Sequence, residues 1–148
     1  MSIREIDETE VHRLSGCLTA LAAHHNAVSV NFKGSYPSKP DSITMANFVD
    51  VLRAGTARIA VKEIGQAVVG FCKVDIRENR GTLDYLAVLP EYRGNGYGSA
   101  LMDWAMAVCR ENGVAQIEVK VVDGNPAIRL YEKYGFRMNA HILRCADV

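Results

Sequence analysis

The chain has 148 residues, of which 49% are hydrophobic, and this length and composition suit one globular domain with a single core. Its 17 basic side chains balance its 17 acidic ones without a long run of like charge, which argues against a nucleic acid or a membrane surface as the main partner. We therefore predict one domain over residues 1–148 and a small substrate.

The amino terminus indicates a location inside the cell, and the cysteine spacing argues against a zinc site. The chain begins with acidic residues where a signal peptide would be basic, and no apolar run approaches the roughly 20 residues of a membrane span. We therefore expect a cytoplasmic protein with no membrane partner. The cysteines lack the spacing of zinc ligands, so we predict no metal site and four buried free thiols. They are Cys17, Cys72, Cys109 and Cys145.

In the first half of the chain, the spacing of apolar residues predicts a short strand, two helices and an antiparallel meander. A loop containing glycine and proline separates the helices, and the second helix has a cap at Asp41 or Ser42 and ends at Gly55. A hairpin around Gly65 and Gln66 begins the meander. The predicted first strand is 2–6, the helices are 9–23 and 42–52, and the next strands are 58–64, 67–76 and 82–88.

The second half of the chain alternates helices and strands. One helix has an almost wholly apolar interior, so it must pack against a sheet, and it ends at Gly113, where a left-handed cap would lie. Asn125 and Pro126 are good cap and first-turn residues for the next helix, which Gly135 ends. The predicted helices are 98–112 and 125–134, the strand between them is 116–122, and one or two last strands lie within 136–145.

Three alternating glycines, Gly94, Gly96 and Gly98, join the strand 82–88 to the helix after it. Glycine permits backbone angles that a Cβ would forbid and lets a ligand approach the main chain. The unpaired amides at the start of the helix point at such a ligand, and the helix dipole favours negative charge. The segment is therefore typical of a site for a phosphate or diphosphate.

Three specific interpretations of this glycine loop compete. A dinucleotide-binding fingerprint has a third glycine where this chain has Ser99, and residues 90–93 separate the strand from the first glycine. A nucleoside-triphosphatase loop ends in Gly-Lys-Ser/Thr, and no lysine occurs between Lys73 and Lys120. The third interpretation is a turn that merely connects two elements, and the loop sequence alone does not exclude it.

Two motifs together resemble those of the GNAT acetyltransferases. The first, Arg93-x-x-Gly96-x-Gly98 after an apolar strand, holds the diphosphate of an acyl-coenzyme A in that family. The second runs from Asn125 to Phe136, with a Leu-Tyr pair and a closing Gly-Phe, one strand further along. The resemblance implies an α/β fold with a central mixed sheet, mostly antiparallel, and about four flanking helices. In that fold the fourth and fifth strands splay apart and the cofactor fills the gap.

The same resemblance implies a binding site for acetyl-CoA. The pantetheine arm would pair with main-chain groups of the fourth strand, and the Val88 amide would hold the oxyanion. Arg93 is the best candidate for a cofactor phosphate, ahead of Arg129 and Lys133, and Asn125 would bind the pantetheine, cap its helix or do both. The predicted cofactor-binding residues are Leu86, Ala87, Val88, Arg93, Gly94, Asn95, Gly96, Tyr97, Gly98, Ser99, Asn125 and Tyr131.

Acetyl transfer to an amine requires two proton transfers. The amine, with a pKa near ~10, must lose a proton before attack, and the leaving thiolate, with a pKa of roughly 8.5 if it resembles cysteine, gains from protonation. Tyr131 matches the family tyrosine that acts as general acid, and its ring would also suit core packing. Asp84 and Glu118, on the fourth and fifth strands, are candidate bases or solvated carboxylates, and period-two alternation predicts that Asp84 shares a face with Leu86 and Val88. His24 and His25 either line the acceptor site or form a polar helix terminus.

We predict an enzyme, a coenzyme A-dependent N-acetyltransferase that moves an acetyl group directly to a primary amine in a ternary complex. The alternative is a non-catalytic acyl-CoA binding or sensing module, and a small oxidoreductase on a nucleotide-binding unit ranks third. The acceptor is a small-molecule amine or a protein or peptide amine, and a homodimer stays open. We expect the loop after the first helix, with Phe32, Lys33, Tyr36 and Lys39, to shape the acceptor pocket together with the last strand.

Overall fold

The computed structural model describes residues 2–148 as a five-stranded sheet with helices on both faces. The strands are β1 (Arg4–Ile6), β2 (Ala57–Ile64), β3 (Ala67–Arg77), β4 (Arg80–Val88) and β5 (Gln116–Val119). The α-helices are α1 (Ser15–Val28), α2 (Asp41–Ala54), α3 (Tyr97–Glu111) and α4 (Ile128–Lys133). The strands lie in chain order across the sheet, antiparallel from β1 to β4 and parallel between β4 and β5. This architecture confirms the predicted fold class.

The observed elements differ from the predicted ones near the first and last helices. Residues Glu8–Leu14 form a 3-10 helix, which the Asp7 carboxylate caps by accepting a hydrogen bond from the Thr9 amide, and α1 begins only after it. At the other end, α4 starts three residues later than Asn125 because residues 125–127 form a turn, in which the Asn125 side chain accepts a hydrogen bond from the Ala127 amide. In both places the side-chain bond lies in the segment before the α-helix, and neither α1 nor α4 has a side-chain cap of its own.

Two apolar clusters pack on opposite faces of the sheet. One lies under α1 and α2 and includes Leu14, Phe48 and Phe71, and the other lies under α3 and α4 and includes Leu101 and Tyr131. The predicted apolar interior of α3 accounts for the second cluster, because a helix that buries one side against a sheet needs a continuous apolar stripe. We refer to these faces as the α1/α2 face and the α3/α4 face.

A β-bulge at Asp84 interrupts the regular alternation of β4. Lys73 of β3 pairs with Tyr85 whereas Val74 pairs with Leu83, so Asp84 has no partner of its own. An extra residue in one strand places two successive side chains on the same face. Asp84 contacts Lys73 beside Phe48, and Tyr85 packs in the same cluster, so both lie on the α1/α2 face. The period-two prediction that Asp84 shares a face with Leu86 and Val88 is therefore wrong, because those two belong to the α3/α4 face.

The pairing of β4 with β5 stops at the bulge. The last paired residues are Leu83 and Val119, and β4 continues for five residues beyond this pair while β5 ends. The predicted extension of β5 to residue 122 is therefore wrong. A bulge increases the local twist of its strand, so the two strands diverge after this point. The divergence leaves one edge of β4 unpaired from Asp84 to Val88.

The last strands predicted within 136–145 are absent, since residues 136–148 have no regular secondary structure. A strand is stable when its backbone pairs and its apolar side chains are covered. Here the apolar side chains of Met138, Ile142 and Leu143 are exposed, so the segment buries no apolar face. The prediction of four buried thiols is wrong in the same segment, because Cys145 is exposed while the other three cysteines are buried and free.

One polar contact joins the end of α1 to the loop between β5 and α4. The Asp123 carboxylate accepts hydrogen bonds from the Ser29 hydroxyl at 2.6 Å and from the amides of Val30 and Asn31 at 2.9 and 2.8 Å. These bonds, with that from Ser29 the strongest, lower the pKa of Asp123. The next residue, Gly124, has φ of +80° and approaches Val28 so closely that a Cβ would lie 2.3 Å from the Val28 carbonyl oxygen.

Replacing Gly124 by alanine should therefore destabilise the fold through both strain and overlap. We expect the free energy of unfolding to fall by about 2–4 kcal/mol, measured by urea denaturation. Gly113→Ala is the matched control, because φ is +67° there but a Cβ would meet nothing within 4 Å, so only the left-handed backbone costs about 1–2 kcal/mol. Equal losses for the two variants would contradict the close approach at Val28.

Candidate active site

The divergence of β4 and β5 opens a cleft of about 640 Å³ between the two faces of the sheet. One half is bounded by β4, the glycine loop and α4, and the other by α1, α2 and the loop between them. We call these the β4/α4 half and the α1/α2 half. Both halves meet at residues 83–88 of β4, all of which line the cleft.

In the β4/α4 half, the unpaired edge of β4 presents main-chain groups. The Leu89 amide donates to the Val69 carbonyl of β3 at 2.8 Å. Because hydrogen-bonding direction alternates along an antiparallel strand, the amides of Leu86 and Val88 face the cleft and that of Ala87 faces β3. The Val88 carbonyl accepts a hydrogen bond from Arg93 Nε at 3.2 Å, so its amide is the group of that residue left for a ligand.

The glycine loop adopts the backbone that the sequence predicts. Gly94 and Gly96 have φ of +81° and +79°, and Gly96 is the residue from which α3 begins. No side chain caps α3, and its first intrahelical acceptor, the Gly96 carbonyl, is used by the Ala100 amide. The amides of residues 97–99 are therefore the unpaired donors of the first turn. Such a helix start favours an anion.

The other predicted residues of the loop lie in and beside the cleft. Arg93, Tyr97 and Gly98 line it, whereas the side chain of Asn95 turns back to donate to the Tyr92 carbonyl at 2.9 Å. Ser99 is exposed outside the cleft, and its carbonyl accepts a hydrogen bond from the Tyr134 hydroxyl.

Tyr131 projects from α4 into the β4/α4 half of the cleft and is 93% buried, with 7% of its surface exposed. Its ring packs edge-on against Phe136 at 5.9 Å between centroids. Burial, with a smaller contribution from Cys72, raises the pKa of Tyr131 to about 12. Its hydroxyl therefore stays protonated at neutral pH and can act only as a hydrogen-bond or proton donor toward a bound anion.

Asn125 connects the two halves of the cleft. Its Oδ1 atom accepts a hydrogen bond from the Ala127 amide at 3.0 Å and lies 3.2 Å from His24 Nε2. The Ala127 contact identifies this atom as the carbonyl oxygen, so His24 must carry its proton on Nε2 to complete the second bond. Asn125 thus stabilises the turn of residues 125–127 rather than capping α4, whose N-cap residue is Ala127, and its cleft-lining position leaves the ligand role as a prediction.

The α1/α2 half is lined by polar side chains from three elements. His24 and His25 come from α1, Tyr36 from the following loop and Thr44 from α2. The His25 ring contacts Tyr36 edge-on at 5.3 Å, and burial, aided by the charge of His24, lowers the pKa of His25. Of the loop residues predicted to shape a pocket, Tyr36 and Lys39 line the cleft.

The candidate bases Asp84 and Glu118 lie in different places. Asp84 lines the cleft, its side chain is 40% exposed, and its Oδ2 atom binds the Lys73 ammonium at 2.7 Å. Glu118 is exposed on β5, where it pairs with Thr82, and it is not among the residues lining the cleft. The structure thus brings Asp84 and Tyr131 to one cleft and leaves Glu118 outside it.

Sequence reasoning missed an ion cluster that is connected to the α1/α2 half through Asp84. Lys73 is 4% exposed and binds Asp75 as well as Asp84. The signal available was a lysine in the middle of the apolar run Phe71-Cys72-Lys73-Val74, where a charge needs buried partners. Asp41 and Tyr85 also line the cleft and were not singled out.

Within residues 2–148, His, Cys, Asp and Glu side chains form no group of three or more that could hold a metal ion. Over the same residues no helix has the length and apolar character needed to span a bilayer.

Comparisons with known proteins agree with this geometry. Residues 16–136 match the model of the acetyltransferase (GNAT) family. The chain is 35% identical over 69 residues to ribosomal protein bS18-alanine N-acetyltransferase of Haemophilus influenzae, covering 47% of each chain. It is 31% identical over 113 residues to an N-alpha-acetyltransferase of Sulfurisphaera tokodaii, covering 66% of this chain and 67% of the relative.

A solved structure shows the same fold. The PaiA N-acetyltransferase of Thermoplasma acidophilum, in complex with coenzyme A, superposes with a TM-score of 0.77 at 16% identity over 93% of this chain and 90% of that one. The matched region spans about half the length of the Haemophilus relative. Because the family model covers most of the chain, including both the glycine loop and α4, the chain belongs to the GNAT acetyltransferase family.

Proposed function

We propose that residues 1–148 form a single acetyltransferase domain that transfers the acetyl group of acetyl-CoA to a primary amine by direct attack in a ternary complex. The observation that carries this proposal is the unpaired edge of β4, whose Leu86 and Val88 amides face a cleft that continues to the start of α3. An amide-containing arm can add to such an edge as a strand does, and a diphosphate suits the free amides beyond it. Family membership and the coenzyme A complex of the Thermoplasma relative support the same assignment.

The cofactor would lie along the β4/α4 half of the cleft. Its diphosphate would contact the glycine loop and the amides of residues 97–99, and Arg93 would contribute charge. The pantetheine would pair with Leu86 and Val88 and approach Asn125. The thioester would then lie between β4 and Tyr131, which line the same cleft.

The chemical step would form a carbon–nitrogen bond and break the carbon–sulfur bond. The amine lone pair attacks the thioester carbonyl, and the Val88 amide stabilises the oxyanion of the tetrahedral intermediate. As the intermediate collapses, the thiolate leaves and takes a proton from, or a hydrogen bond with, the Tyr131 hydroxyl. A pKa of about 12 keeps this phenol protonated at neutral pH, so its proton is present when the thiolate leaves.

Asp84 is the proposed acceptor of the proton that the amine loses, directly or through water. It lines the cleft at the bulge, between the free amides of β4 and the polar side chains of α1 and α2. Its Oδ2 atom is paired with Lys73, and this pairing leaves Oδ1 for a proton. His24 and His25 line the same half and would contact the acceptor.

The acceptor is proposed to be a primary amine that enters through the α1/α2 half. The Haemophilus and Sulfurisphaera relatives are named for alanine and N-alpha acetylation, which favours a protein or peptide amino terminus among the candidates. The test is thiol release from acetyl-CoA across a panel of an alanine-initiated peptide, a lysine-containing peptide and small diamines. Acetyl-CoA binding without turnover of any amine would instead favour a non-catalytic acyl-CoA binding module.

Acetyl-CoA should stabilise the protein through the glycine loop. At 100 times its Kd a ligand adds about 2.7 kcal/mol to the free energy of unfolding, which raises Tm by several degrees. Gly96→Val should abolish this rise, because a β-branched residue cannot hold φ of +79° without displacing the start of α3.

Gly113→Val is the control for the glycine-loop variant, since it imposes the same kind of strain at φ of +67° outside the cleft. It should lower Tm without changing the response to acetyl-CoA. A normal response in Gly96→Val would contradict the diphosphate assignment.

Tyr131→Phe should keep acetyl-CoA affinity and lower turnover by roughly 10²- to 10⁴-fold, the usual share of a general acid. Where chemistry limits the rate, a donor with a more acidic thiol should recover part of the loss. The matched control is Tyr134→Phe at the end of α4, since the Tyr134 hydroxyl binds Asp103 at 2.6 Å outside the cleft. That variant should lose about 1 kcal/mol of stability and keep its turnover. Full activity in Tyr131→Phe would reduce this ring to packing.

Asp84→Asn keeps the size of the side chain and removes the proton acceptor. The rate should therefore fall most at low pH, where deprotonating the amine is hardest, and the loss should shrink as the pH rises toward the amine pKa. The measurement is kcat/KM against pH for wild type and variant. Profiles of identical shape would assign Asp84 a structural role.

A further inference from the structure

Lys73 is a buried cation that lies behind Asp84, one of the residues that line the α1/α2 half. Its ammonium contacts Asp75 Oδ1 at 2.9 Å, Asp75 Oδ2 at 2.7 Å and Asp84 Oδ2 at 2.7 Å. It also lies 5.3 Å from the centroid of the Phe48 ring. The ammonium thus has a carboxylate oxygen for each of its three protons, with an aromatic face beside it.

The buried charge of Lys73 makes this cluster energetically unfavourable as core packing. Burying a charge costs several kcal/mol, and an apolar side chain of similar volume is often as stable. A purely packing role would therefore not require a lysine at position 73, whereas a carboxylate that must keep one orientation beside a cleft gains a fixed partner from a buried cation. Asp84 is that carboxylate, because it is 40% exposed and lines the cleft while its partner Lys73 is 4% exposed.

Several other titratable groups lie around Asp84. Asp75 of β3 binds the same ammonium as Asp84, and the two carboxyl groups contact each other. Burial raises the pKa of the Tyr85 hydroxyl, and the charges of Asp84, Asp41 and Asp75 raise it further. Thr44 of α2 bonds with that hydroxyl, and Lys39 and His25 face the cleft from the loop and from α1. Burial raises the pKa of Asp75 as well. Lys73 is the cation placed between two of these three carboxylates.

The bulge completes the arrangement. Lys73 pairs with Tyr85 across the sheet, so the ammonium lies next to the extra residue of β4 rather than next to a regularly paired one. Its bond to Oδ2 fixes the Asp84 side chain on the α1/α2 face. Within residues 2–148, Lys73 is the cation that forms an ion pair with Asp84.

We propose that Lys73 is a positioning residue that holds Asp84 ionised and directed into the cleft, so that Asp84 Oδ1 receives the proton that the acceptor amine loses. The role in proton transfer rests on the acetyltransferase activity proposed above. The electrostatic role of Lys73 does not, and it can be measured without an acceptor.

The direct test is a ¹³C NMR titration of aspartate side-chain carboxyl carbons from pH 4 to pH 9, in wild type and in Lys73→Met, with assignments from Asp75→Asn and Asp84→Asn. The wild-type titration of the Asp84 carbon is the reference curve. In Lys73→Met two neighbouring carboxylates lack a cation and share a proton, so their titration should move upward by at least one pH unit. Unchanged titration of Asp84 would overturn the proposal.

The kinetic readout uses the amine with the highest kcat/KM in the panel above. The acid limb of kcat/KM should move to higher pH in Lys73→Met and return toward the wild-type position in Lys73→Met/Asp75→Asn, which removes the like charge. A purely structural role would lower the rate equally at every pH. Inactivity of the wild type with normal titrations would contradict the proposed function and leave the inference about Lys73 standing.

Two further variants keep the test decisive. Arg13→Met removes a cation between Glu10 and Glu63, at 3.0 and 2.8 Å, outside the cleft, and it should leave both the Asp84 titration and the acid limb unchanged. If Lys73→Met does not fold, Lys73→Met/Asp75→Asn is compared with Asp75→Asn. The Asp84 titration should then lie at higher pH in the double variant, and coincidence of the two curves would overturn the proposal.

Discussion

The bulge at Asp84 is the constraint on which the rest of the site depends. It lies directly after Leu83, the last residue of β4 that pairs with β5, so the extra residue and the end of the pairing coincide. Continuous pairing would close the edge of β4 and leave no cleft. The same extra residue changes which face each later side chain occupies, placing Asp84 and Tyr85 on the α1/α2 face and leaving Leu86 and Val88 on the other. One irregularity thus opens the site and supplies it with a carboxylate.

The two halves of the cleft are built separately and then joined by polar contacts. The β4/α4 half rests on main-chain donors, with Tyr131 as its one buried hydroxyl, whereas the α1/α2 half rests on side chains. Asp123 binds the end of α1, and Asn125 contacts His24 across the opening. Because these contacts come from the short loop between β5 and α4, the acceptor side is fixed relative to the helix that carries Tyr131. A catalytic geometry needs such a link, since small displacements cost large factors in rate.

Much of the fold and the glycine loop could be predicted from local patterns. The apolar stripe of α3 and the positive φ values at Gly94 and Gly96 follow from short-range sequence. The face of Asp84 could not be predicted, because a bulge depends on the partner strand and period two assumes that none exists. The ion cluster around Lys73 and the bonds of Asp123 join residues far apart in sequence. The strands predicted within 136–145 show the reverse error: they are expected only because this segment follows the last helix, and it has neither a partner strand nor a covered apolar face.

The central claim, that acetyl-CoA binds along the open edge of β4, is tested most directly by residue-resolved amide hydrogen exchange with and without saturating acetyl-CoA. The amides of Leu86 and Val88 face the cleft, and those of residues 97–99 are unpaired at the start of α3. Bound acetyl-CoA should slow amide exchange at these positions and change it little at Ala87, whose amide already faces β3. If acetyl-CoA binds while the Leu86 and Val88 amides exchange as fast as in the unliganded protein, the claim is contradicted.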